Sequence, residues 1–287
     1  MRRHGAAVVV FIITSLLSAL LLWQTQKARL EGERARAMQA AANHAHLLQL
    51  NLEQALSATY TVAALLKLGN GDIKDFEATA RTMLSFYPGA SALELAPKGI
   101  VRKVEPLAGN ERALGHNLLT DPQRDKEAFA ARDTGRLTLA GPFPLVQGGT
   151  GVAGRLPVYL ETEGAGQSFW GFVVVLVRFP EALKAARFNE LSARGYDYML
   201  WRRHPDSGNR QVIASSTNAE AVKPVEVEVR VPNATWTLSV WPASGWGKGG
   251  RFPTKLGFAV LFVALATLAA SRLAPARRNT GRDAARS

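Results

Sequence analysis

The first absence in this chain of 287 residues is cysteine, of which it has none. Without thiols the protein cannot form a disulfide, a thiolate metal site or a cysteine nucleophile. The sequence also lacks the GxSxG, HExxH, P-loop and kinase signatures that mark common catalytic sites. His44 and His46 are two residues apart and so do not share a helix face, which disfavours a metal pair. We therefore expect a protein that is not an enzyme and needs no cofactor.

A concentrated basic block is also missing, although the net charge is +12. The excess of Lys and Arg is spread over both tails and the long middle of the chain, and no DNA- or RNA-binding motif accompanies it. Nucleic acid is therefore not expected as a partner. The basic tails instead suit the flanks of membrane-spanning helices.

Residues 6–23 form an apolar run without charge, at the lower end of the length that spans a membrane. A cleaved signal peptide is the alternative, but the run is not followed by a small-x-small cleavage site. We expect an uncleaved anchor. A second span is predicted at 252–273, with Lys255 and Arg272 reaching the interfaces.

Two spans place both termini on one side of the membrane. Residues 1–5 and the basic tail 274–287 are therefore expected in the cytoplasm. The charge asymmetry between the termini and the loop ends is too small to fix the orientation by itself. We predict a multi-pass protein of the inner (plasma) membrane whose middle segment is periplasmic or extracellular.

The segment 24–68 contains no proline and one glycine, Gly32, and is rich in good helix formers. Apolar or small residues recur in it at alternating spacings of three and four, at positions 38, 41, 45, 48, 52, 55, 59, 62 and 66. This heptad pattern predicts a long helix with a seam, which ends at Gly69-Asn70-Gly71. The seam is either a dimer interface or the face that packs on the protein's own domain, and one helix can do both.

The central stretch 135–159 predicts two strands joined by a glycine-rich turn. Pro142 and Pro144 cannot donate to a sheet ladder, so the first strand is expected at an edge or a bend. Gly149, Gly151 and Gly154 fit a GxGxxG pattern. That fingerprint requires a helix directly after it, whereas an apolar run with a proline follows here, so nucleotide binding is disfavoured.

Further elements are predicted on both sides of this stretch. Helices are expected at 73–87, capped by Asp72, at 121–133 and at 180–187. The β-branched and aromatic run 169–177 predicts a central buried strand. Other strands are expected at 92–95, 100–105, 196–202, 211–214, 225–231 and 235–240.

Three arginines are candidate ligand groups: Arg132, Arg155 and Arg178. Arg155 stands inside an apolar strand, and Arg178 follows the predicted buried strand. A charge in such a place needs a partner. That partner is either a ligand anion or a carboxylate of the protein, for which Glu94, Glu105 and Asp133 are the candidates.

The segment from Ala96 to Trp241 resembles the CHASE domain, the extracellular sensory module of histidine kinases and nucleotide cyclases. The resemblance rests on the runs APKGIV, PLAGNERALGHNLLTDP, AARDTGRLTLAGPFPLVQGGTGVAGRLPVY and WGFVVVLV, which occur in one order.

The resemblance implies an α+β fold with a long N-terminal membrane and stalk helix, two PAS-like antiparallel-sheet lobes and a C-terminal transmembrane helix. The expected boundaries are 24–70 for the dimerising stalk, 71–187 for the membrane-distal lobe and 188–246 for the membrane-proximal lobe. A small-molecule pocket is implied in the distal lobe, between the strands that carry Thr138, Phe143, Leu145, Arg155 and Pro157, with Arg132 beside them.

The chain departs from the plant cytokinin receptors of this family at the ligand positions. An acidic residue that holds the adenine ring there corresponds by spacing to Arg124, and Arg155 replaces a smaller neutral residue. Two basic side chains suit an anionic ligand better than a purine. The alternative is an envelope interaction protein without a small ligand.

No kinase or cyclase follows the second span, although family members usually carry one. The resemblance thus implies a sensor that acts on a histidine kinase or a diguanylate cyclase partner, or else a truncated receptor.

Overall fold

A computed structural model describes residues 2–122, 125–146, 148–162, 166–205, 207–247 and 252–273. The helices are α1 (Arg2–Leu68), α2 (Phe76–Leu84), α3 (Asp125–Thr134), α4 (Glu181–Ala185), α5 (Phe188–Ala193) and α6 (Phe252–Leu273). The strands are β1 (Ala92–Pro97), β2 (Lys103–Glu105), β3 (Thr138–Pro144), β4 (Thr150–Thr162), β5 (Gly166–Phe179), β6 (Tyr196–Arg203), β7 (Arg210–Ser215), β8 (Val225–Val231) and β9 (Ala234–Pro242). A 3₁₀ helix covers Glu111–Ala113. The chain divides into two compact units, one of Ala37–Ala243 and the other of Met1–Arg36 with Ser244–Ser287.

The long helix α1 runs unbroken because nothing between Arg2 and Leu68 removes a backbone donor. It ends where Gly71 takes a positive φ of 95° and its N–H donates to the Leu66 carbonyl oxygen at 2.8 Å. By length and composition, the helical segment Val8–Leu68 begins with a part that is apolar enough to cross a membrane. The apolar segment Ala259–Ala269 within α6 is shorter than a membrane span requires. Among the described residues, the N-terminal helix alone is long and apolar enough to be a candidate span, so the second span stays a prediction.

The heptad seam predicted on α1 is buried within this chain's own domain. Eight of its nine positions are buried, and only Met38 at its start is exposed, with 42% of its surface accessible. The seam packs on the larger sheet: a Cβ built at Gly154 of β4 would overlap the Cδ2 atom of Leu56, which lies beside the seam. The heptad pattern therefore identified the face of α1 that packs on the protein's own domain. A dimer through α1 remains a prediction.

The larger sheet has five antiparallel strands in the order β2-β1-β5-β4-β3. The run 169–177 lies in β5 at the centre of this sheet, as predicted, and Phe172–Leu176 are all almost completely buried. Strand β3 is at the edge, and its register with β4 shifts between Ala140 and Phe143. The edge position and the irregularity agree with the prediction from Pro142 and Pro144.

The two faces of this sheet pack against different parts of the chain. One face packs on α1. The opposite face carries Ala153, Phe172 and Val174, which cluster with Ala128 and Ala131 of α3 and with residues of the 101–119 connection. Because strand residues alternate between faces, this second face also carries Arg155 and Glu94.

The smaller sheet has four antiparallel strands in the order β7-β6-β9-β8, all four predicted from the sequence. Its inner face contains the fully buried Trp236 and Leu238. The Asn233 side-chain oxygen accepts a hydrogen bond from the Leu139 N–H at 2.7 Å and so joins this lobe to the edge strand of the larger sheet. The fold class expected from the sequence is thus confirmed.

Several local predictions differ from the structure. Helix α2 begins at Phe76, and Asp75 rather than Asp72 caps it by accepting a hydrogen bond from the Ala78 N–H. Strand β2 is shorter than predicted because Ile100 pairs instead with Asn117 in an isolated bridge. Helix α5 was not predicted. The GxGxxG glycines lead into a strand rather than a helix, which removes the nucleotide interpretation.

The other unit brings α6 beside the N-terminal half of α1. The Gly247 N–H donates to Glu33 Oε2 at 2.9 Å, and the Arg34 guanidinium lies 5.0 Å from the centre of the Trp246 ring. Small side chains, among them Ser15, Ser18 and Ala259, line a cavity of about 390 Å³ between the two helices. Small side chains at such positions allow two helices to approach each other closely.

Candidate functional site

A row of directly paired residues crosses the larger sheet and defines the candidate site. Thr138 pairs with Arg155, Arg155 with Val174, and Val174 with Glu94. Residues that are opposite each other in antiparallel strands point to the same face. The register therefore places Arg155 and Glu94 on one face of the sheet. Strand β5 lies between their strands, so their backbones are roughly 10 Å apart.

This row borders a cavity of about 30 Å³ that lies over the second face of the sheet. Its polar lining consists of Glu94, His116 and Arg155, and its apolar lining includes Phe143 and Leu145. Glu94 is 4% exposed and Arg155 is 1% exposed. Two opposite charges and an imidazole are thus held at a small space that is otherwise apolar, where electrostatic interactions are stronger than in water.

The 101–119 connection forms one wall of the cavity and is held by backbone hydrogen bonds. The Val101 N–H donates to the His116 carbonyl oxygen at 2.9 Å, and the Leu118 N–H donates to the Gly99 carbonyl oxygen at 2.8 Å. The His116 Nε2 atom lies 3.4 Å from Asp121 Oδ2. His116 is therefore oriented by its own segment and by Asp121.

Glu111 shapes the tip of the same connection. Hydrogen bonds from its own backbone N–H and from that of Gly109 lower the pKa of the Glu111 carboxyl. The ionised carboxylate is the form that accepts these bonds. Glu111 therefore stabilises the turn and stays out of the cavity lining.

The opposite wall is the end of β3 with the turn that follows it, and Arg178 joins this wall to the first. Leu145 is closed into the turn by a hydrogen bond from its N–H to the Gly149 carbonyl oxygen at 2.9 Å. Arg178 donates from Nη1 to the Gly148 carbonyl oxygen and from Nη2 to Asn110 Oδ1, both at 3.0 Å. Arg178, a candidate ligand group from the sequence, thus connects the two walls in this structure.

The residues predicted for the site occupy different places. Phe143, Leu145 and Arg155 all line the cavity. Thr138 belongs to the row of paired residues that contains Arg155 and Glu94, and its hydroxyl donates to the Glu127 carbonyl oxygen at 2.9 Å. Pro157 is buried opposite Phe172, on the same face but outside the lining.

The two remaining predicted residues are not part of this cavity. The Arg132 Nε atom donates to Asp133 Oδ1 at 2.8 Å, and its guanidinium lies 4.8 Å from the centre of the Phe129 ring. Its backbone carbonyl oxygen accepts a hydrogen bond from the Tyr159 hydroxyl. Arg124 lies outside the described residues.

Sequence reasoning undervalued two of the lining residues. Glu94 was considered only as an ion-pair partner, and no binding role was expected for His116. The signal for Glu94 was a lone carboxylate inside the apolar run ALELAP, which forms β1. The other two candidate carboxylates pair elsewhere, Glu105 with Arg81 and Asp133 with Arg132, each at 2.8 Å.

The groups that line the cavity are suited to the recognition of a small molecule. Among the described residues, no three His, Asp or Glu side chains come together as metal ligands would. The cavity instead combines a buried cation, a buried carboxylate and an imidazole on a rigid sheet. An α+β body of this kind, with a small polar cavity over its larger sheet and an apolar N-terminal helix, is typical of a sensory domain.

Comparison with known proteins identifies the class. The family model of the CHASE domain matches residues 44–210, more than half of the chain, and the protein belongs to this family of sensory domains. No match was found among the curated proteins.

Two solved structures show similarity to this chain. An extracellular ligand binding receptor from Desulfohalobium retbaense DSM5692 has a TM-score of 0.55 and 14% sequence identity, over 70% of this chain and 39% of that one. The chain thus spans well under half of that receptor. The sensory domain of the Campylobacter jejuni chemoreceptor Tlp3 (CcmL) has a TM-score of 0.45 and 11% identity, over 76% of this chain and 98% of that one. At 14% identity, the similarity to the receptor establishes the shared fold alone.

Proposed function

We propose that the protein is a membrane-anchored extracytoplasmic sensor that binds a small anionic ligand at Arg155. In this proposal the segments 6–23 and 252–273 span the inner membrane, the protein is a homodimer through its stalk helix, and a separate histidine kinase or diguanylate cyclase receives the signal. The observation that carries the ligand class is an arginine only 1% exposed in the lining of a cavity.

A buried guanidinium favours a carboxylate or phosphate for two reasons. The apolar surroundings strengthen the attraction of the guanidinium for an anionic group. The planar guanidinium can also donate two parallel hydrogen bonds to such a group. Glu94, on the same face, would hold a positive or donor group of the same ligand, and His116 would act as a further polar contact.

Ligand entry requires the cavity to grow, because 30 Å³ holds about one water molecule. The wall at Phe143 and Leu145 is the part that would move most easily. It lies at the edge strand, where the register shift interrupts the backbone pairing of β3 with β4. We expect this segment to shift when the ligand binds.

Strand β4 provides a direct route from the ligand to α1. Arg155 lies on the cavity face, and its neighbour Gly154 meets Leu56 of α1 on the other face. A ligand that binds Arg155 more tightly in one position of β4 than in another would therefore bias the position of α1.

The second candidate function is the envelope interaction protein without a small ligand. The observation that favours it is the small size of the cavity in this structure. Thermal shift with a library of small carboxylates and phosphates separates the two hypotheses, because an interaction protein would show no stabilising anion at the Arg155 cavity.

The decisive variants are Arg155→Met and its control Arg132→Met, in the full-length protein in detergent. Both remove one positive charge from the same lobe, but Arg132 faces Asp133 and Phe129 rather than the cavity. We expect the ligand-induced rise in melting temperature to disappear in Arg155→Met and to persist in Arg132→Met. Arg155→Lys keeps the charge but loses the two parallel hydrogen bonds, so it should weaken the ligand response, and it serves if Arg155→Met does not fold. An unchanged ligand response in a folded Arg155 variant contradicts the pocket assignment.

A further inference from the structure

A second cavity lies between the two sheet lobes and is separate from the Arg155 cavity. Its volume is about 310 Å³, which is large enough for a small metabolite. The larger lobe contributes the start of α3 and the end of β3, and the smaller lobe contributes Arg202 of β6, Gln211 of β7 and the residues His204 and Pro205 that follow β6. Both lobes belong to the unit Ala37–Ala243.

The charged lining of this interlobe cavity is mainly basic. Lys126, Arg202 and His204 line it, and Glu127 is its only acidic residue among the described lining. Arg202 is 6% exposed, so its side chain lies in the interior of the protein rather than on its surface. An arginine fixed at such depth beside further basic groups favours an anion.

Hydrogen bonds hold the Arg202 guanidinium in place. Its Nε atom donates to Gln211 Oε1 at 2.8 Å, and Gln211 Nε2 donates to the Pro142 carbonyl oxygen at 3.2 Å. This chain joins β6 and β7 of the smaller lobe to β3 of the larger one. A preorganised guanidinium loses little conformational entropy when it binds a planar oxyanion.

We propose that the interlobe cavity is a second binding site, for a small metabolite that carries a carboxylate or phosphate group. Arg202 binds the oxyanion, with Lys126 adding positive charge from the larger lobe and His204 a polar contact from the smaller lobe. The occupant contacts both lobes and so stabilises their present arrangement. Phe143 lines this cavity and the Arg155 cavity alike, so an occupant here restrains the side chain that we expect to move when the first site fills.

Binding is tested with inorganic phosphate and, separately, succinate on the full-length protein in detergent. Because the net charge is +12, chloride at equal ionic strength is the reference. Isothermal titration and thermal shift give the affinity and the stabilisation. We expect Arg202→Met to weaken binding of the effective anion by about tenfold or more. Lys126→Glu, a change at an exposed position, should weaken it as well without affecting the fold.

Arg203→Met is the matched control, because Arg203 is the next residue of β6, is exposed and lies on the opposite face of the strand. It removes the same charge and should bind as the wild type does. Arg155→Met should also retain this binding, which separates the interlobe site from the proposed function: either can fail alone. Failure of both anions to stabilise the wild type beyond chloride would overturn the proposal. Equal losses in Arg202→Met and Arg203→Met, the sign of unspecific charge attraction, would overturn it too.

Discussion

Two adjacent residues of β4 have opposite surroundings. Arg155 faces the small cavity, whereas Gly154 faces α1, where a Cβ would overlap Leu56 Cδ2 and lie 3.0 Å from Val175 Cγ1. Glycine is required at this position by the close approach of the helix and not by its backbone angles, since its φ is not positive. The missing side chain at Gly154 therefore allows Leu56 of α1 to approach the sheet closely at this point.

Gly154→Ala should destabilise the protein by about 1–3 kcal/mol, because the added methyl group overfills a packed interface. Leu56→Ala should cost about 2–5 kcal/mol through the cavity that it leaves. In the double variant the new methyl group occupies part of that cavity, so the loss should be smaller than the sum of the two. Chemical denaturation of all four proteins measures the coupling. Additive losses would show that the two side chains do not meet.

At the scale of elements, α1 shows how a heptad pattern identifies a buried face without identifying its partner. The seam residues Leu48, Leu52 and Leu66 are at most 2% exposed and pack within the chain, whereas Leu50 of the same turns is 46% exposed. Because the seam is already buried, a dimer through this part of α1 would have to use the other, more polar face. Coiled-coil and domain-packing helices share a spacing of three and four, so sequence alone could not separate them.

Leu52→Ala and Leu50→Ala compare these two faces directly. The first should lower the free energy of unfolding by about 2–5 kcal/mol, because it removes a buried side chain from a packed interface. The second should change it by less than about 0.5 kcal/mol, as surface substitutions do. Denaturant unfolding of the full-length protein in detergent measures both. A larger effect of Leu50 would indicate that the exposed face is covered by another chain.

For the whole molecule, the absence of cysteine makes topology accessible to experiment. Any cysteine introduced into the chain is the only thiol present. Ala219 lies in an exposed turn of the sensory unit, and Arg282 lies in the basic tail that we expect in the cytoplasm. Single substitutions at these two positions report the side of the membrane on which each lies.

Ala219→Cys should react with a membrane-impermeant maleimide in intact cells, after the outer envelope is made permeable where there is one. Arg282→Cys should react only after the inner membrane is opened, because the proposed second span returns the chain to the cytoplasm. Mass shift on a gel measures both. Labelling of both positions in intact cells would contradict the second span, and labelling of neither would contradict the extracytoplasmic location.

The sequence predicted the features that depend on neighbouring residues. The β-branched run of β5, the alternation in β8, the prolines of β3 and the proline-free length of α1 each express a local preference that survives folding. Together with the resemblance to the CHASE domain, these patterns were sufficient for the fold class. They also identified Arg155 as a charge in an apolar strand.

Only the tertiary structure decided which distant residues meet. Glu94 and Arg155 share a face because β1 and β4 both pair with β5 in one register, and a shift of one residue would separate them. In the same way, the contacts of Arg178 with Gly148 and Asn110, and the hydrogen bond of Gln211 to Pro142, join segments far apart in the chain. Periodicity records which side of an element is buried. What that side touches depends on long-range packing, which no short stretch of sequence encodes.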